Sequence, residues 1–235
     1  MAIIKLYSDF RDYYDHRFCG SWEIPTAVLN RLSRTGLSRR QQFRLLHQAG
    51  FTLPLCGSVQ AVAQQALQTR SDTFSRKVLD TMPPVALVVY LDEFAHCGEG
   101  KELLLYYQAI ADYPDHFCSE FIPTHPTPIL ARSTRLLYIG DRGFWLEYEG
   151  TGSWQSNHAE TVNIRLLEEK PVPPRDVVWQ GFPLLAIDFV TDYRTGIAYA
   201  TDLNTSPGLG GTPIEEFLSP AQVYQSLSDW MAKPQ

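Results

Sequence analysis

Residues 184–212 read LLAIDFVTDYRTGIAYATDLNTSPGLGGT. Two apolar runs flank a short turn that contains Gly196, and this pattern predicts a β-hairpin. Each run carries one acidic residue, Asp188 in the first and Asp202 in the second. Asn204 follows Asp202 by two positions, so both side chains face the same side of a strand, and Asp188 on the paired strand can join them. Three hard oxygen donors on one face suit Mg²⁺. The alternative is that they are polar residues at the end of a hairpin and bind no metal.

The remainder of the second half also has the pattern of strands. Apolar and β-branched runs are separated by turn signals such as Gly140-Asp141-Arg142-Gly143. We predict strands at 117–122, 133–139, 144–149, 161–166, 184–190 and 197–203. A capping box, Ser219 with Gln222, then opens an amphipathic C-terminal helix.

The first half begins with helical patterns. Ser38 and Gln41 form a capping box, and Gly50 fits the position just past a helix end, so the spacing predicts a helix over 38–50. A second helix is predicted over 59–70. The continuous apolar run 85–90 predicts a buried strand. For 103–111, periodicity leaves strand and helix open.

Several of these segments resemble one known family. The element formed by Asp188 and the run from Asp202 through Asn204 to Pro207-Gly208 is similar to the C-terminal signature of the ATP-grasp superfamily. Its pattern is nearest to those of ribosomal-protein glutamate ligases and glutathione-synthetase-like enzymes. Other segments follow in the family's order over roughly residues 35–232; they are the helix 38–50, the hinge-like Ser119-Glu120-Phe121-Ile122, the strand Ser133 to Asp141 with Arg135, and Trp154-Gln155-Ser156-Asn157.

The resemblance implies an α+β, two-lobed ATP-grasp-like fold with a nucleotide cleft between the lobes. It divides the chain into an N-terminal segment over 1–34, a first lobe over 35–118 and a second lobe over 119–235. Family members carry a separate domain before the ATP-grasp core, and here only some 35 residues precede it. We therefore expect a reduced acceptor site, or one completed by a protein partner or a second copy of the chain.

The resemblance also implies roles for particular residues. The family binds ATP and Mg²⁺, and the metal bridges the phosphates and offsets charge in the transition state. The implied metal ligands are Asp188, Asp202 and Asn204; the nucleotide contacts are Arg39, Lys101 and the adenine-binding segment Glu120, Phe121 and Ile122; the catalytic candidates are Arg135, which would contact the phosphates, and Asn157.

The implied activity is the ligation of a small-molecule or peptide carboxylate to an amine, or a related nucleophile, through an acylphosphate. Two departures from the family pattern support an alternative. The strand before the glycine-bearing loop has Tyr90 where the family has lysine, and Gln155 stands in place of arginine. The alternative is a degenerate module that binds nucleotide or a protein partner without turnover. The opening segment 7–15 also loosely resembles the starts of some phage proteins, which suggests a phage-type accessory protein.

Composition limits the other classes of function. The chain has 235 residues and a net charge of −6, which counts against a global nucleic-acid binder. Arg31 to Arg44 is a local exception with five arginines and no acid, and phosphate contacts account for part of it. We find no run of eighteen apolar residues and no signal-peptide pattern, so we expect no membrane partner. Four cysteines without CxxC spacing fit a cytoplasmic location with reduced thiols.

Overall fold

A computed structural model describes residues 37–73, 84–95, 100–127, 129–157, 159–171, 184–204, 207, 209 and 212–232. All ten predicted site residues lie within these ranges. The N-terminal segment 1–34, the loop residues 96–99 and residues 172–174 of the proline-rich connection lie outside the described residues, as does Gly208 of the Pro-Gly element.

The described elements alternate between helix and strand in the first half and are mostly strands in the second. In chain order they are α1 (Arg39–Gln48), β1 (Cys56–Ser58), α2 (Val59–Thr73), β2 (Ala86–Tyr90), β3 (Lys101–Leu105), α3 (Tyr106–Asp112), β4 (Phe117–Glu120), β5 (Leu130–Ile139), β6 (Arg142–Thr151), β7 (Thr161–Pro171), β8 (Leu184–Thr191), β9 (Ala198–Asn204), α4 (Ile214–Phe217) and α5 (Pro220–Ala232).

The strands form two antiparallel sheets within the described part of the chain. One has four strands in the order β1-β4-β2-β3, and the other has five in the order β7-β6-β5-β8-β9. The chain crosses from the first sheet to the second between the end of β4 at Glu120 and the start of β5 at Leu130. The predicted division of the chain at 118/119 lies next to this crossing, within β4. The mixed α and β architecture is the one that the sequence predicts.

The four-stranded sheet buries one face under helices. Leu87 and Val89 of β2 pack there against Val62 and Ala66 of α2, and all four side chains are at most 2% exposed. Because successive strand residues point to opposite faces, Val88 and Tyr90 lie on the other face. That face carries an aromatic cluster that includes Phe117.

The five-stranded sheet is covered on both faces over part of its length. Leu137, Phe144 and Leu184 pack against Val223 and Leu227 of α5 on one face. The opposite face, which includes Tyr138, Leu185 and Ile187, receives Leu46 of α1. Helix α1 also sends Phe43 into the aromatic cluster of the four-stranded sheet. It therefore packs against both sheets and holds them together.

The predicted elements are found with small changes at their ends. The helix at 38–50 begins at Arg39 with Ser38 as its N-cap, and both hydrogen bonds of the capping box form. Residues 103–111 contain both predicted alternatives, because β3 ends at Leu105 and α3 begins at Tyr106. The three-residue strand β1 was not predicted. None of the described helices is long and apolar enough to cross a membrane.

Candidate functional site

A cleft of about 110 Å³ lies between the two sheets, where β2 ends and β3 begins. It is lined by residues from α1, from three strands of the four-stranded sheet, from the crossing after β4, and from β5, β8 and β9. Eight of the ten predicted site residues line it, namely Arg39, Lys101, Glu120, Phe121, Ile122, Asn157, Asp188 and Asp202.

Arg39 enters the cleft from the first turn of α1. Its guanidinium forms an ion pair with Asp202, and its side chain is only 5% exposed. Nη1 also donates to Gln42 Oε1 at 2.9 Å, and Nη2 donates to the Ala95 carbonyl at 3.3 Å. The group lies 5.5 Å from the centre of the Tyr90 ring, which places it in cation–π range. Although burial alone lowers its pKa, the neighbouring Asp202 raises the pKa of Arg39 above its ordinary value.

Asp202 lies where three cations meet. Burial favours the protonated carboxyl, but Arg39, Lys101 and Arg135 together hold the pKa of Asp202 below its usual range. Asp202 is therefore a carboxylate at neutral pH. On the sheet it is directly opposite Asp188, since the register of β8 and β9 pairs these two residues.

Lys101 begins β3 and completes the positive side of the cleft. Its ammonium lies 5.6 Å from the centre of the Trp154 ring. Burial and the nearby Arg39 lower the pKa of Lys101, while Asp202 and Asp188 oppose that change. Position 90 on β2 is a tyrosine. Lys101 lies directly opposite it on the paired strand β3. Lys101 thus supplies a positive charge directly across the sheet from Tyr90.

Arg135 lies behind the cleft rather than on its surface. Its guanidinium binds Asp188 with two hydrogen bonds, from Nε at 2.6 Å and from Nη2 at 2.8 Å. Nη1 also donates to the Tyr148 hydroxyl at 3.4 Å. Burial would lower the pKa of Arg135, but Asp188 raises it above the ordinary value. The role suggested for Arg135 was a phosphate contact, and in this structure its described partners are Asp188 and Tyr148.

The two predicted amides occupy different places. Asn157 is exposed at the rim of the cleft, just after β6. Asn204 ends β9 opposite Ala186, which puts it on the same face as Asp188 and Asp202 but outside the cleft lining. The structure thus brings Asp188 and Asp202 together at the cleft and leaves Asn204 one position further along the sheet face.

The segment 120–122 lines the cleft. Glu120 donates its backbone N–H to Leu55 O at 2.8 Å, and Phe121 donates to Ala86 O at 2.9 Å. The backbone N–H of Ile122 donates no hydrogen bond within the described residues. The Glu120 side chain points away, towards Arg70 and Arg194; burial raises its pKa, and these two arginines oppose the shift.

Other cleft residues were not predicted as part of the site. Tyr90 is 6% exposed; burial raises its pKa, and its hydroxyl shares a hydrogen bond with Ser119. Ser133 and Ser156 are joined through their Oγ atoms at 2.6 Å. Ser133 precedes Arg135 by two positions on β5, so strand alternation was a signal that could have placed it at the cleft. Ser119 precedes Phe121 by two positions in the predicted strand 117–122, so the same signal applies to it.

Two carboxylates in the cleft supply part of the oxygen ligands that a Mg²⁺ ion needs. Asp188 and Asp202 are hard oxygen donors on adjacent strands and both line the cleft. The described residues contain no group of three or more His, Cys, Asp or Glu side chains that could hold a metal ion. Mg²⁺ is commonly bound by one or two protein carboxylates together with phosphate oxygens and water, so two carboxylates fit the ion when a phosphate ligand is present.

Three solved structures are similar to this chain at low sequence identity. The ATP-grasp ligase PsnB, complexed with a minimal precursor, superposes with a TM-score of 0.48 and 12% identity, over 88% of this chain and 61% of that chain. The macrocyclase MdnC, bound with the precursor peptide MdnA from Microcystis aeruginosa MRC, gives a TM-score of 0.45 and 10% identity, over 90% and 64%.

A third structure is the biotin carboxylase domain dimer of Hydrogenobacter thermophilus 2-oxoglutarate carboxylase, in complex with MgADP, ADP and bicarbonate. Its TM-score is 0.46 at 14% identity, over 87% of this chain and 47% of that chain. The chain is similar to each of these three structures at 14% identity or less. It spans less than two thirds of the length of each of these structures. No family model and no curated protein matches the sequence.

Proposed function

We propose that this protein binds ATP with Mg²⁺ in the cleft between its sheets and uses it to join a carboxylate to an amine or a related nucleophile. The observation that supports this proposal is the meeting of unlike charges in one cleft. Arg39 and Lys101 supply positive charge for a triphosphate, and Asp188 and Asp202 supply oxygen ligands for a divalent cation.

The part of the cleft that residues 120–122 line suits an adenine base. Val88 and Val190 supply apolar surface to the cleft from the two sheets. A buried backbone N–H without a partner carries a free-energy penalty, and the Ile122 N–H is in that position among the described residues. A ring nitrogen of adenine is an acceptor that removes the penalty. Because alternate residues of an extended chain point the same way, the Glu120 carbonyl is on the same side and suits the adenine amino group.

The part of the cleft that Arg39 and Lys101 line suits the phosphates. Arginine binds phosphate oxygens with two parallel hydrogen bonds, and lysine binds them as a point charge. Bound between Asp188, Asp202 and the phosphates, Mg²⁺ would offset the negative charge that develops as a phosphoryl group is transferred. Arg39 and Lys101 would neutralise further charge, and the Trp154 ring would exclude water from that part of the cleft.

The proposed reaction has two steps. A carboxylate oxygen of the acid substrate bonds to the γ-phosphorus while the bond between that phosphorus and the β,γ-bridging oxygen breaks, which gives an acylphosphate and ADP. The amine nitrogen then bonds to the acyl carbon, phosphate leaves with the former carboxylate oxygen, and the nitrogen loses a proton. This chain's residues would hold the phosphates and the carboxylate together, since positioning and charge stabilisation account for most of the catalysis of phosphoryl transfer.

A second candidate function is nucleotide binding without turnover. Each cleft carboxylate is already neutralised by an arginine, Asp188 by Arg135 and Asp202 by Arg39. Tyr90 and Gln155 replace residues of the family pattern. Both observations favour a module in which the two arginines, and not a metal ion, neutralise the carboxylates of Asp188 and Asp202. The two candidates differ in whether ATP binding needs Mg²⁺ and in whether ADP forms.

Calorimetric titration of ATP, with and without Mg²⁺, tests the proposal. We expect wild-type binding to depend on Mg²⁺ and Asp202→Asn to weaken Mg²⁺–ATP binding at least tenfold. Without Mg²⁺ the variant should bind ATP as well as the wild type or better, because it removes a negative charge from the phosphate end. Asn retains an acceptor oxygen for Arg39, so the variant should fold. Asp229→Asn, on the exposed side of α5, is the matched control.

Equal binding with and without Mg²⁺ in the wild type would favour the second candidate function. Absence of ATP binding at millimolar concentration would reject both. Hydroxylamine separates turnover from binding, since it converts an acylphosphate to a hydroxamate and releases phosphate. Hydroxamate that forms only with both ATP and an added acid supports the ligase.

A further inference from the structure

A second and larger cavity, of about 450 Å³, lies beside the cleft. Its size is in the range of pockets that enclose small organic molecules. One wall is Ala86, Leu103 and Leu105, which are on the same face of the four-stranded sheet as Val88 and Lys101. The cavity thus continues the cleft along β2 and β3, towards the other end of these strands.

The remaining walls are also mostly apolar. Pro123 and Leu130 enclose the cavity from the crossing and from the start of β5. At its far end are Arg70 and Arg194, with acidic partners nearby. Arg194 binds Asp192 with two hydrogen bonds, from Nε at 3.0 Å and from Nη2 at 2.7 Å, and Arg70 lies within electrostatic range of Glu120. Charge is therefore balanced at the far end, and the body of the cavity favours an apolar group.

Two aromatic rings separate the cavity from the cleft. Phe121 and Trp154 line both spaces and meet edge to face, with ring centres 6.2 Å apart. The Lys101 ammonium lies against the Trp154 ring on the cleft side. A ligand that fills the cavity can therefore place one end beside Lys101 by passing this pair of rings.

The cavity does not have the groups that would recognise the base of ATP. Glu120 and Ile122, whose backbone groups suit adenine, line the cleft, and neither is among the described residues that line the cavity. A nucleotide in the cleft therefore leaves the cavity available to a second ligand.

We propose that this cavity holds the apolar body of the acid substrate, whose carboxylate reaches past Trp154 to Lys101. This proposal rests on the proposed function, because it places the carboxylate where the γ-phosphate would be. The substrate class is a carboxylic acid with an alkyl or aryl group of about six or more carbons, free or as part of a peptide side chain. A small polar acid such as glutamate would leave the apolar walls without contacts.

A series of acids without bound nucleotide tests the cavity. Acetate, butyrate, hexanoate and 4-phenylbutyrate are titrated into the full-length protein by calorimetry. Burial of apolar surface should tighten binding by about tenfold for each two added methylene groups. The amine 4-phenylbutylamine matches the longest acid in shape and should bind at least tenfold more weakly, because Lys101 repels it. Equal affinities along the acid series, or equal affinity for the amine, would overturn the proposal.

Two variants locate the binding. Leu105→Trp and Leu130→Trp each fill the cavity, from opposite walls, and Leu167→Trp on the exposed face of β7 is the control. We expect each cavity variant to weaken 4-phenylbutyrate binding at least tenfold and to leave Mg²⁺–ATP affinity within twofold of wild type. Thermal unfolding checks that each variant is folded. Because the two substitutions are on different walls, one variant still tests the proposal if the other does not fold.

The results separate this inference from the proposed function. If ATP does not bind but the acid series and the variants behave as expected, the cavity binds apolar acids and the ligase proposal fails. If Mg²⁺–ATP binds normally but the cavity variants do not affect acid binding, the cavity proposal alone is overturned. If the cavity variants weaken ATP binding instead, the cavity belongs to the nucleotide and this inference is wrong.

Discussion

The carboxylate of Asp192 holds the turn that joins β8 to β9. It is buried and accepts hydrogen bonds from the Arg194 backbone N–H at 2.8 Å and from the Arg194 guanidinium. Its own backbone N–H donates to Ile197 O at 3.0 Å, and its carbonyl accepts from Gly196 N–H at 2.8 Å. The turn fixes the register of the two strands, and the register sets Asp188 opposite Asp202. A single buried carboxylate outside the cleft therefore helps to position both cleft carboxylates.

Asp192→Asn should lower the free energy of unfolding by about 1–2 kcal/mol at neutral pH. The variant loses hydrogen bonds between charged groups, and the partial exposure of Arg194 keeps the loss moderate. The hydrogen bonds from Arg194 hold the pKa of Asp192 below its ordinary value of 3.8. A carboxyl with a lowered folded-state pKa stabilises the fold above the unfolded-state pKa, and this contribution is lost as the pH falls through the folded-state value.

Urea unfolding from about pH 7 to about pH 3 measures this difference. The gap between wild type and Asp192→Asn should be constant above about pH 5 and should narrow below about pH 4. Asp115→Asn, at an exposed turn, is the control and should change stability by less than about 0.5 kcal/mol. A gap that stays the same down to pH 3 would mean that the Asp192 charge contributes nothing.

Sequence indicates single residues when the signal is local. Asp202 and Asn204 share a face because strand alternation is a property of neighbouring positions, and the short turn makes Asp188 their neighbour. The ion pair of Arg39 with Asp202 joins residues 163 positions apart, and no local pattern encodes it. The hydrogen bonds that hold Arg135 to Asp188 join residues 53 positions apart, and no local pattern encodes them either.

Two helices of this protein begin with the same hydrogen bonds. In α1 the Ser38 backbone N–H donates to Gln41 Oε1 at 2.8 Å, and the Gln41 N–H donates to Ser38 Oγ at 3.3 Å. In α5 Ser219 and Gln222 repeat both bonds with the same lengths. The two helices differ in their surroundings. The first residue of α1 is Arg39 in the cleft, whereas α5 packs on the far part of the five-stranded sheet.

Substituting the two N-cap serines distinguishes a loss of stability from a loss of ATP binding. Ser38→Ala and Ser219→Ala should each lower the free energy of unfolding by about 1 kcal/mol, since each removes an N-cap hydrogen bond. Ser38→Ala should also weaken Mg²⁺–ATP binding severalfold, because the first turn of α1 orients Arg39. Ser219→Ala should leave ATP affinity unchanged. Urea unfolding and calorimetric titration of both variants make the test, and equal losses of affinity would show that α1 does not position the site.

Elements are predictable from sequence when they are long enough to show a period. The capping boxes and the apolar stripe give α1 and α5, and the continuous apolar run gives β2. The segment 101–112 changes from strand to helix at Leu105, so neither half is long enough to show its period. Strand β1 has three residues, Cys56 to Ser58, and it forms because β4 pairs with it. Such an element is specified by its partner rather than by its own residues.

At the scale of the whole molecule, the cleft belongs to neither sheet alone. Tyr90 and Lys101 come from the four-stranded sheet, Asp188 and Asp202 from the five-stranded sheet, and Arg39 from the helix that packs on both. A ligand that contacts all of these residues links the two sheets. Binding of such a ligand should therefore stabilise both sheets against unfolding.

Hydrogen exchange with and without Mg²⁺–ATP tests this coupling. At a ligand concentration one hundred times the dissociation constant, binding stabilises the folded protein by about 2.7 kcal/mol. Amides that exchange only through global unfolding should then exchange about a hundredfold more slowly in β2 and in β8 alike. Asp202→Asn at the same ATP concentration should show a much smaller effect in both strands. Protection of β2 with no change in β8 would mean that the nucleotide binds the four-stranded sheet alone, and the carboxylates of the other sheet would then have no part in holding it.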